Sequence, residues 1–265
     1  MANTANSIPS RVSDDVRFEY SNDDTVLHVI LDRPSKRNAI SPDMARIIKA
    51  TLESRLDDRV HVVLIRSAAR NVFCAGFDIA CMGGAAGDPA AALYDLYVYL
   101  ERLRQVTVAF GDGLLIGGGV ELFLCCDLRL ASPHATFRMP PAKLSLVYEQ
   151  EGIARFIRRI GLTATMEMFI TGRTITATEA LHCGLATRIL AEDAVQAYCT
   201  DILQGAPLAQ QAMKEIIIST SHIQSQEGEQ QRHFEDLKRK VAQSLDHKEA
   251  LAAFREKRPP RFRGQ

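Results

Sequence analysis

The sequence predicts an α/β fold built from recurring strand–strand–helix units and followed by a helical C-terminal region. Short, wholly apolar segments such as residues 62–65 are typical of strands covered on both faces of a sheet. From Glu151 onward the strand signals fade, and apolar residues at helical spacing dominate through Phe254. The 265 residues contain no linker rich in Pro, Gly or Ser. We therefore predict a core domain over residues 1–200 and a helical extension over residues 201–265.

The core is predicted to begin with a β-hairpin and a helix. Residues 16–20 alternate apolar and polar side chains, and a polar turn separates them from a second strand at residues 26–31. Ser41, Pro42 and Asp43 then form a strong helix start, because they supply a hydroxyl cap, a proline at the first position and an acid near the positive end of the helix dipole.

The middle of the chain alternates in the same way. The sequence predicts a helix over residues 88–105 and strands over residues 106–110, 128–131 and 136–139. The recurring unit is thus two strands and a helix.

Composition excludes several classes of function. The chain carries 32 basic and 32 acidic residues, so it has no large basic field for nucleic acid or an anionic membrane. The polar residues 1–15 lack the pattern of a targeting signal, and no apolar run approaches the ~20 residues that span a bilayer. The six cysteines are scattered, and the seven histidines show no metal-ligand spacing. We expect a cytoplasmic protein without a metal site, a nucleic-acid partner or a membrane partner.

Two predicted loops, residues 74–79 and 111–119, can bring bare backbone N–H groups close to a ligand, because glycine has no Cβ to block the approach. Two converging N–H groups stabilise a carbonyl oxygen that takes on negative charge. The second loop runs into a helix start, which adds unpaired donors and the positive end of a dipole. Glu121 lies one turn into that helix. The combination indicates enolate chemistry on a bound carbonyl compound.

Nucleotide binding is a poorer explanation of the second loop. Gly111 and Gly113 would need a glycine at position 116 for a dinucleotide fingerprint, and Ile116 stands there. A phosphate loop would need a lysine directly after Gly118, where the chain has Gly119. A purely structural turn is the remaining alternative.

Four segments carry a resemblance to a known family. They are residues 31–40 (LDRPSKRNAI), 71–79 (NVFCAGFDI), 113–127 (GLLIGGGVELFLCCD) and 254–262 (FREKRPPRF). In this order they resemble the adenine-side segment, the two oxyanion loops and the ending of the crotonase superfamily, the enoyl-CoA hydratase/isomerase family. The similarity extends from about Val16 to Phe262.

The resemblance implies a spiral of strand–strand–helix turns with a helical trimerisation region, and self-association as a trimer or a dimer of trimers. It implies an acyl-CoA thioester as substrate, with coenzyme A as part of that substrate and no separate cofactor. The oxyanion donors would be the N–H groups of Phe77 and Gly118, and Glu121 would move a proton. The residues expected to bind the substrate and its CoA portion are Ser35, Lys36, Arg37, Ala39, Ala75, Gly76, Asp78, Ile79, Gly117 and Lys257.

The chain departs from the family pattern at one catalytic position. Hydratases of this family use two glutamates around one water, and the second falls here at Pro141. The following segment supplies Tyr148, Glu149 and Glu151 as candidate catalytic groups. A packing role for Tyr148 and solvent exposure of the two glutamates are the alternatives. Proline followed by tyrosine is similar to the methylmalonyl-CoA decarboxylase branch, although that branch has a histidine where this chain has Phe77.

Three functions follow from these residues. The first is a hydratase/isomerase-type enzyme that uses Glu121, in which a double-bond shift survives the loss of an acid at position 141 better than hydration does. The second is decarboxylation of a malonyl-type CoA thioester, with Tyr148 orienting the carboxylate. The third is a non-catalytic CoA- or RNA-binding relative, against which the neutral charge and the presence of Glu121 both argue.

Overall fold

The computed structural model describes residues 13–81, 90–221 and 242–258, together with residues 232, 239 and 260. Within these ranges the strands are β1 (Val16–Ser21), β2 (Val26–Leu31), β3 (Val62–Ser67), β4 (Val72–Cys74), β5 (Val106–Gly111), β6 (Leu114–Ile116), β7 (Leu128–Ala131), β8 (Thr136–Arg138), β9 (Thr174–Thr176) and β10 (Arg188–Ile189). The helices are α1 (Pro42–Arg55), α2 (Ala91–Arg102), α3 (Gly118–Cys125), α4 (Gln150–Thr171), α5 (Ala177–His182), α6 (Val195–Leu203), α7 (Pro207–Ser221) and α8 (Leu245–Glu256).

The N-terminal hairpin and the first helix form as predicted. β1 and β2 pair antiparallel, with Val16 opposite Leu31. The hydroxyl of Ser41 accepts a hydrogen bond from the Met44 amide at 3.2 Å and so caps α1. Helix α1 then buries Met44, Ile48 and Leu52, because residues four apart lie on the same face of a helix.

Each successive strand–strand–helix unit from β3 onward adds one strand to each of two sheets. The larger sheet has the order β1-β2-β3-β5-β7-β10, and the smaller has the order β4-β6-β8-β9. β3, β5 and β7 thus enter the first sheet, while β4, β6 and β8 follow them into the second. A helix comes after each such pair, and this arrangement confirms the predicted strand–strand–helix repeat.

Four short strands lie where the sequence did not predict them. β6 lies within a segment expected to be a loop, β4 precedes the other predicted loop and overlaps it at Cys74, and β9 and β10 lie within the region expected to be helical. Each has only two or three residues, too few to show an alternating pattern. They form because neighbouring strands offer backbone partners, which is a tertiary effect. Helix α2 is also shorter than predicted, and residues 88 and 89 lie outside the described part of the chain.

The described parts of the C-terminal region are helical, as predicted. Helix α7 is fixed to the core by Lys214, whose ammonium group donates to the Gln105 carbonyl at 2.9 Å and lies 2.7 Å from Asp127. The division into two domains stays a prediction, and its boundary at residue 200 lies within α6. In the ranges described above, no helix combines the length and the apolarity needed to cross a bilayer.

Removing the α1 cap is expected to destabilise the fold. Ser41→Ala leaves the Met44 amide without its side-chain acceptor, so the free energy of unfolding should fall by ~1 kcal/mol, measured by urea denaturation at fixed protein concentration. Ser41→Gly is the control, because glycine at a cap costs only a few tenths of a kcal/mol. Equal losses for the two variants would contradict a capping role.

Candidate active site

Three loops of the candidate site leave the same edge of the smaller sheet. β4 and β6 are parallel neighbours, and β6 and β8 are parallel as well. Since the carboxyl ends of parallel strands meet at one edge, the segments after Cys74, Ile116 and Arg138 start side by side. The two glycine-bearing loops and the segment that holds Pro141 are therefore brought together by sheet register.

The amides of Phe77 and Gly118 approach each other at this edge. A Cβ placed on Gly118 would lie 3.5 Å from the Phe77 nitrogen, and one placed on Gly76 would lie 3.6 Å from the Gly118 nitrogen. The Ile40 amide donates to the Gly76 carbonyl, and the Ile40 carbonyl accepts from the Asp78 amide. In this parallel bridge the N–H of Phe77 points away from Ile40. Neither Phe77 nor Gly118 donates its N–H to a backbone carbonyl within the described ranges. The two amides therefore lie close together, and neither has a backbone acceptor in this part of the structure.

This approach depends on the absence of side chains at two positions. Gly76 has φ +102°, and a Cβ there would lie 2.9 Å from the Ile116 carbonyl oxygen. A Cβ on Gly119 would lie 2.4 Å from the Cys74 carbonyl oxygen. Both contacts are with backbone atoms, which cannot rotate away. Any larger residue would push the two loops apart.

Glu121 lies in the first turn of α3, and its side chain has no solvent exposure. One carboxylate oxygen accepts a hydrogen bond from the Tyr148 hydroxyl, and the other is bonded to the Arg155 guanidinium. Burial raises the pKa of Glu121 to about 7, against the opposing effect of Arg155 and of the Tyr148 hydrogen bond. The carboxyl group therefore exchanges a proton near neutral pH, as a general acid or base must.

Tyr148 is half-buried beside Glu121, in the segment that precedes α4. Its ring packs edge-on against Phe169, with centroids 5.4 Å apart. Burial, and then the nearby charge of Glu121, raise the pKa of Tyr148 well above its ordinary value. The hydroxyl therefore stays protonated and acts as a donor. Gly152 leaves room for this contact, because a Cβ there would lie 2.9 Å from a Glu121 oxygen.

Arg155 and Glu101 belong to the same cluster, and the sequence analysis missed both. Arg155 on α4 binds Glu101 on α2 through two hydrogen bonds of 2.9 Å, besides its bond to Glu121. The sequence pattern could have indicated Arg155, because this residue precedes Phe156 and lies at the spacing of the buried face of α4. A charge on an otherwise apolar face indicates a buried partner.

Glu149 and Glu151, the other two acids proposed for the site, lie at the start of α4. Glu149 is the residue at which α4 is capped, without a side-chain cap bond, and Glu151 is exposed in the first turn. Pro141 is buried and begins a short 3-10 turn. The catalytic roles of Glu149 and Glu151 stay predictions.

The residues expected to bind CoA form two adjoining segments. The Ala75 amide donates to the Arg37 carbonyl at 3.0 Å, which aligns the segment from Arg37 to Ile40 with the first glycine loop. Ser35, Lys36 and Arg37 are exposed in and after a 3-10 turn, while Ala39 is partly buried. The exposed turn, which carries two basic residues, therefore lies next to the start of the first loop.

Asp78 is held within the protein by an ion pair. Arg33 donates to an Asp78 carboxylate oxygen at 2.7 Å and to the Ala39 carbonyl at 2.9 Å. Burial by itself raises the pKa of Asp78, but hydrogen bonds from Arg33 and the Ala80 amide lower it below the ordinary value. Asp78 therefore stays ionised, and its ion pair with Arg33 fixes the backbone next to Phe77.

The remaining candidates are spread over three elements. Gly117 precedes α3 with φ 52°, and Ile79 begins a short 3-10 turn after the first loop. Lys257 is exposed in the left-handed conformation that ends α8. Their roles in binding stay predictions. Within the described ranges, no group of three or more His, Cys, Asp and Glu residues could hold a metal ion.

Comparison with known proteins decides the family. Residues 21–265 match the family described as enoyl-CoA hydratase/isomerase. This chain belongs to the enoyl-CoA hydratase/isomerase family. It is 35% identical over 254 residues to a carnitinyl-CoA dehydratase of Proteus mirabilis, which covers 91% of this chain and 96% of that relative. It is 30% identical over 272 residues to the mitochondrial enoyl-CoA hydratase domain-containing protein 2 of Homo sapiens, covering 94% and 89% of the two chains.

Solved structures of the enoyl-CoA hydratase/isomerase family share the fold. A methylmalonyl-CoA decarboxylase complexed with 2S-carboxypropyl-CoA superposes with a TM-score of 0.89 at 25% identity, covering 96% of this chain and 100% of that one. A carnitinyl-CoA hydratase from Mycobacterium avium superposes with a TM-score of 0.80 at 26% identity, with coverage of 96% and 100%. These matches confirm the crotonase resemblance and the crotonase-like spiral.

A side chain at Gly119 is expected to separate the two glycine loops. In Gly119→Ala the new methyl group would overlap the Cys74 carbonyl, and overpacking of this kind costs ~1–3 kcal/mol in the free energy of unfolding. Urea denaturation measures the loss. The control is Gly205→Ala, whose methyl group would meet the movable side chain of Gln210. A Gly119 variant no less stable than the Gly205 variant would refute the close approach.

Proposed function

We propose that this protein is an enzyme that acts on an acyl-CoA thioester through an enolate, with Glu121 as the group that moves the proton. The observation that carries the proposal is a buried carboxyl group with a pKa of about 7 in the helix whose first residue, Gly118, lies close to the Phe77 amide. Membership of an enzyme family favours this function over that of a non-catalytic CoA- or RNA-binding relative.

The thioester oxygen would bind between the N–H groups of Phe77 and Gly118. Negative charge develops on that oxygen when the thioester becomes an enolate, and preorganised donors stabilise it most at that moment. Gly118 is also the first residue of α3, so the positive end of the helix dipole faces the same point. Both effects lower the energy of the enolate relative to the bound thioester.

Proton transfer would use one carboxyl group, and this favours some reactions of the family over others. A double-bond shift needs a single base that removes a proton from one carbon and returns it to another. Hydration with paired glutamates needs a second acid or base, and the matching position holds Pro141. We therefore favour isomerisation or a related single-base transfer over hydration, with Tyr148 as an added hydrogen-bond donor.

Decarboxylation is the second candidate function. Tyr148 lies beside Glu121, where its hydroxyl could orient a carboxylate on the acyl group. The similarity to a methylmalonyl-CoA decarboxylase also supports it. In this reaction protonated Glu121 would act as an acid that donates its proton to the enolate carbon after loss of CO₂, and solvent would then reprotonate the carboxylate.

The exposed turn at Ser35, Lys36 and Arg37 would receive the nucleotide end of CoA. A lysine ammonium acts as a compact point charge toward phosphate, and an arginine offers paired donors. Ala39, Ala75, Gly76, Ile79 and Gly117 would border the path of the thioester, Asp78 would support it, and Lys257 would reach a phosphate. Coenzyme A enters as part of the substrate, and the proposal includes no separate cofactor.

We also propose that the chain self-associates as a trimer or a dimer of trimers. Helix α4 exposes Leu162, Met166 and Ile170 at successive turns, and α7 exposes Met213 and Ile217. Apolar groups aligned along a helix face are typical of interfaces. Light scattering would give the mass of the assembly. The cytoplasmic location also stays a prediction.

Turnover should depend on Glu121 and should identify the reaction. With crotonyl-CoA, a 3-enoyl-CoA and methylmalonyl-CoA as separate substrates, mass spectrometry would detect hydration, isomerisation or loss of CO₂. Glu121→Gln keeps the shape of the side chain but removes the acid, so kcat should fall by ~10²–10⁴-fold while acyl-CoA binding persists. Glu53→Gln, which removes an exposed carboxylate from α1, is the control. Full activity of the Glu121 variant would exclude the proposed mechanism.

The pH dependence should separate the two candidate functions, because the pKa of Glu121 is about 7. Below that pH the carboxyl group is protonated, and above it the group is ionised. If Glu121 acts as a base in isomerisation, kcat/KM should rise as the pH increases through 7. If it acts as an acid after decarboxylation, the rate should fall over the same interval. Initial rates from pH 5 to pH 9 give the profile, and a flat one would show that Glu121 does not titrate in the rate-limiting step.

A further inference from the structure

Helix α2 presents two polar side chains to the candidate site. Tyr97 and Glu101 lie four residues apart and therefore on the same helix face. The Tyr97 hydroxyl donates to the Gly118 carbonyl at 2.6 Å, and Glu101 holds Arg155 through two bonds. One face of α2 thus contacts the carbonyl of Gly118, the residue whose N–H is the proposed oxyanion donor, and, through Arg155, the carboxylate of Glu121.

We propose that Glu101 and Arg155 are positioning residues that fix the carboxylate of Glu121 for proton transfer. We call them the positioning pair. The inference rests on the proposed role of Glu121 and goes beyond it, because neither residue needs to touch the substrate.

The geometry of the guanidinium group supports this role. Arg155 presents its Nε and Nη2 atoms to the two oxygens of Glu101, which is the rigid fork arrangement of a bidentate ion pair. Its Nη1 atom is bonded to Glu121. All three nitrogens of Arg155 are therefore engaged inside the protein. Its side chain is only 3% exposed, which leaves little room for binding a substrate carboxylate.

The pair limits the motion of the base. A glutamate side chain has several rotatable bonds, and fixing them costs conformational entropy. Here Arg155 fixes one oxygen of Glu121 and Tyr148 fixes the other. Arg155 is itself held by Glu101 and lies over the Tyr97 ring, with its Cζ atom 5.8 Å from the centroid. The carboxylate is thereby oriented before substrate binds.

The pair also affects the charge on Glu121. The titratable and charged groups that face Glu121 come from α2, from α3 itself, from the segment before α4 and from α4; they are Tyr97, Glu101, Cys125, Tyr148 and Arg155. Arg155 lowers the pKa of Glu121, and the negative charge of Glu101 raises it. Replacing Glu101 with a neutral residue leaves the charge of Arg155 uncompensated. The pKa of Glu121 should then fall.

A purely structural role is the alternative, in which the ion pair only ties α2 to α4. The two roles predict different measurements. A structural tie affects stability alone, whereas a positioning pair affects the pH dependence and kcat of the folded enzyme.

The test compares Glu101→Gln, Arg155→Lys and the control Asp95→Asn, which removes an exposed carboxylate from the same helix. In Glu101→Gln the part of the pH–rate profile assigned to Glu121 should move to lower pH. In Arg155→Lys the forked contact is lost, so kcat should fall by about 10²-fold with KM little changed. Asp95→Asn should behave as the parent protein. An unmoved profile and an unchanged kcat in both variants would overturn the proposal, even if their melting temperatures fell.

A second readout separates this proposal from the one on which it rests. The infrared band of the protonated Glu121 carboxyl group can be followed against pH, with Glu121→Gln subtracted as the blank. Its midpoint should shift downward in Glu101→Gln whether or not a substrate has been identified. Full turnover by Glu121→Gln would reject the proposed function, whereas an unshifted midpoint would reject only the positioning pair.

Discussion

The candidate site depends on the close approach of two backbone segments that follow neighbouring parallel strands. β4 and β6 end at the same edge of the smaller sheet, so the loops after them are adjacent from the start. Glycine at positions 76 and 119 removes the Cβ atoms that would separate them. The amides of Phe77 and Gly118 lie close together as a result. The proposed binding of one oxygen by both donors depends on this contact between the loops.

The second constraint is electrostatic, and it acts on Glu121. A fully buried carboxylate is costly unless charges and hydrogen bonds compensate it. Arg155 and Tyr148 supply that compensation, yet burial still raises the pKa of Glu121 to about 7. The balance leaves the group between its two protonation states at neutral pH. Without the opposing charge of Glu101, Arg155 would lower the pKa of Glu121 further, and without Arg155 the pKa would be higher.

The sequence predicted the main parts of the fold because they depend on local patterns. The hairpin, the capped helix α1 and the central strands follow from alternation, spacing and turn residues near one another in the chain. β6 was not predicted because it lies between glycines, and β9 was not predicted because it lies in a region of helical spacing. These strands exist because a neighbour offers backbone partners, which single-sequence patterns cannot show. The same reason explains the missed site residues, since Glu101 and Arg155 are 54 positions apart in the chain.

The absence of a carboxylate at position 141, where the chain has Pro141, agrees with the charge balance of the site. With Glu121 ionised, the buried cluster of Glu101, Arg155 and Glu121 carries a net charge of about −1, and with Glu121 protonated it is neutral. A further buried carboxylate would add to the repulsion and raise the pKa of Glu121 more. Pro141 adds no charge, and Tyr148 contributes a hydrogen-bond donor that stays neutral. A single titrating group then changes the charge of the whole cluster by one, which suits a reaction in which one proton leaves a carbon atom and one returns.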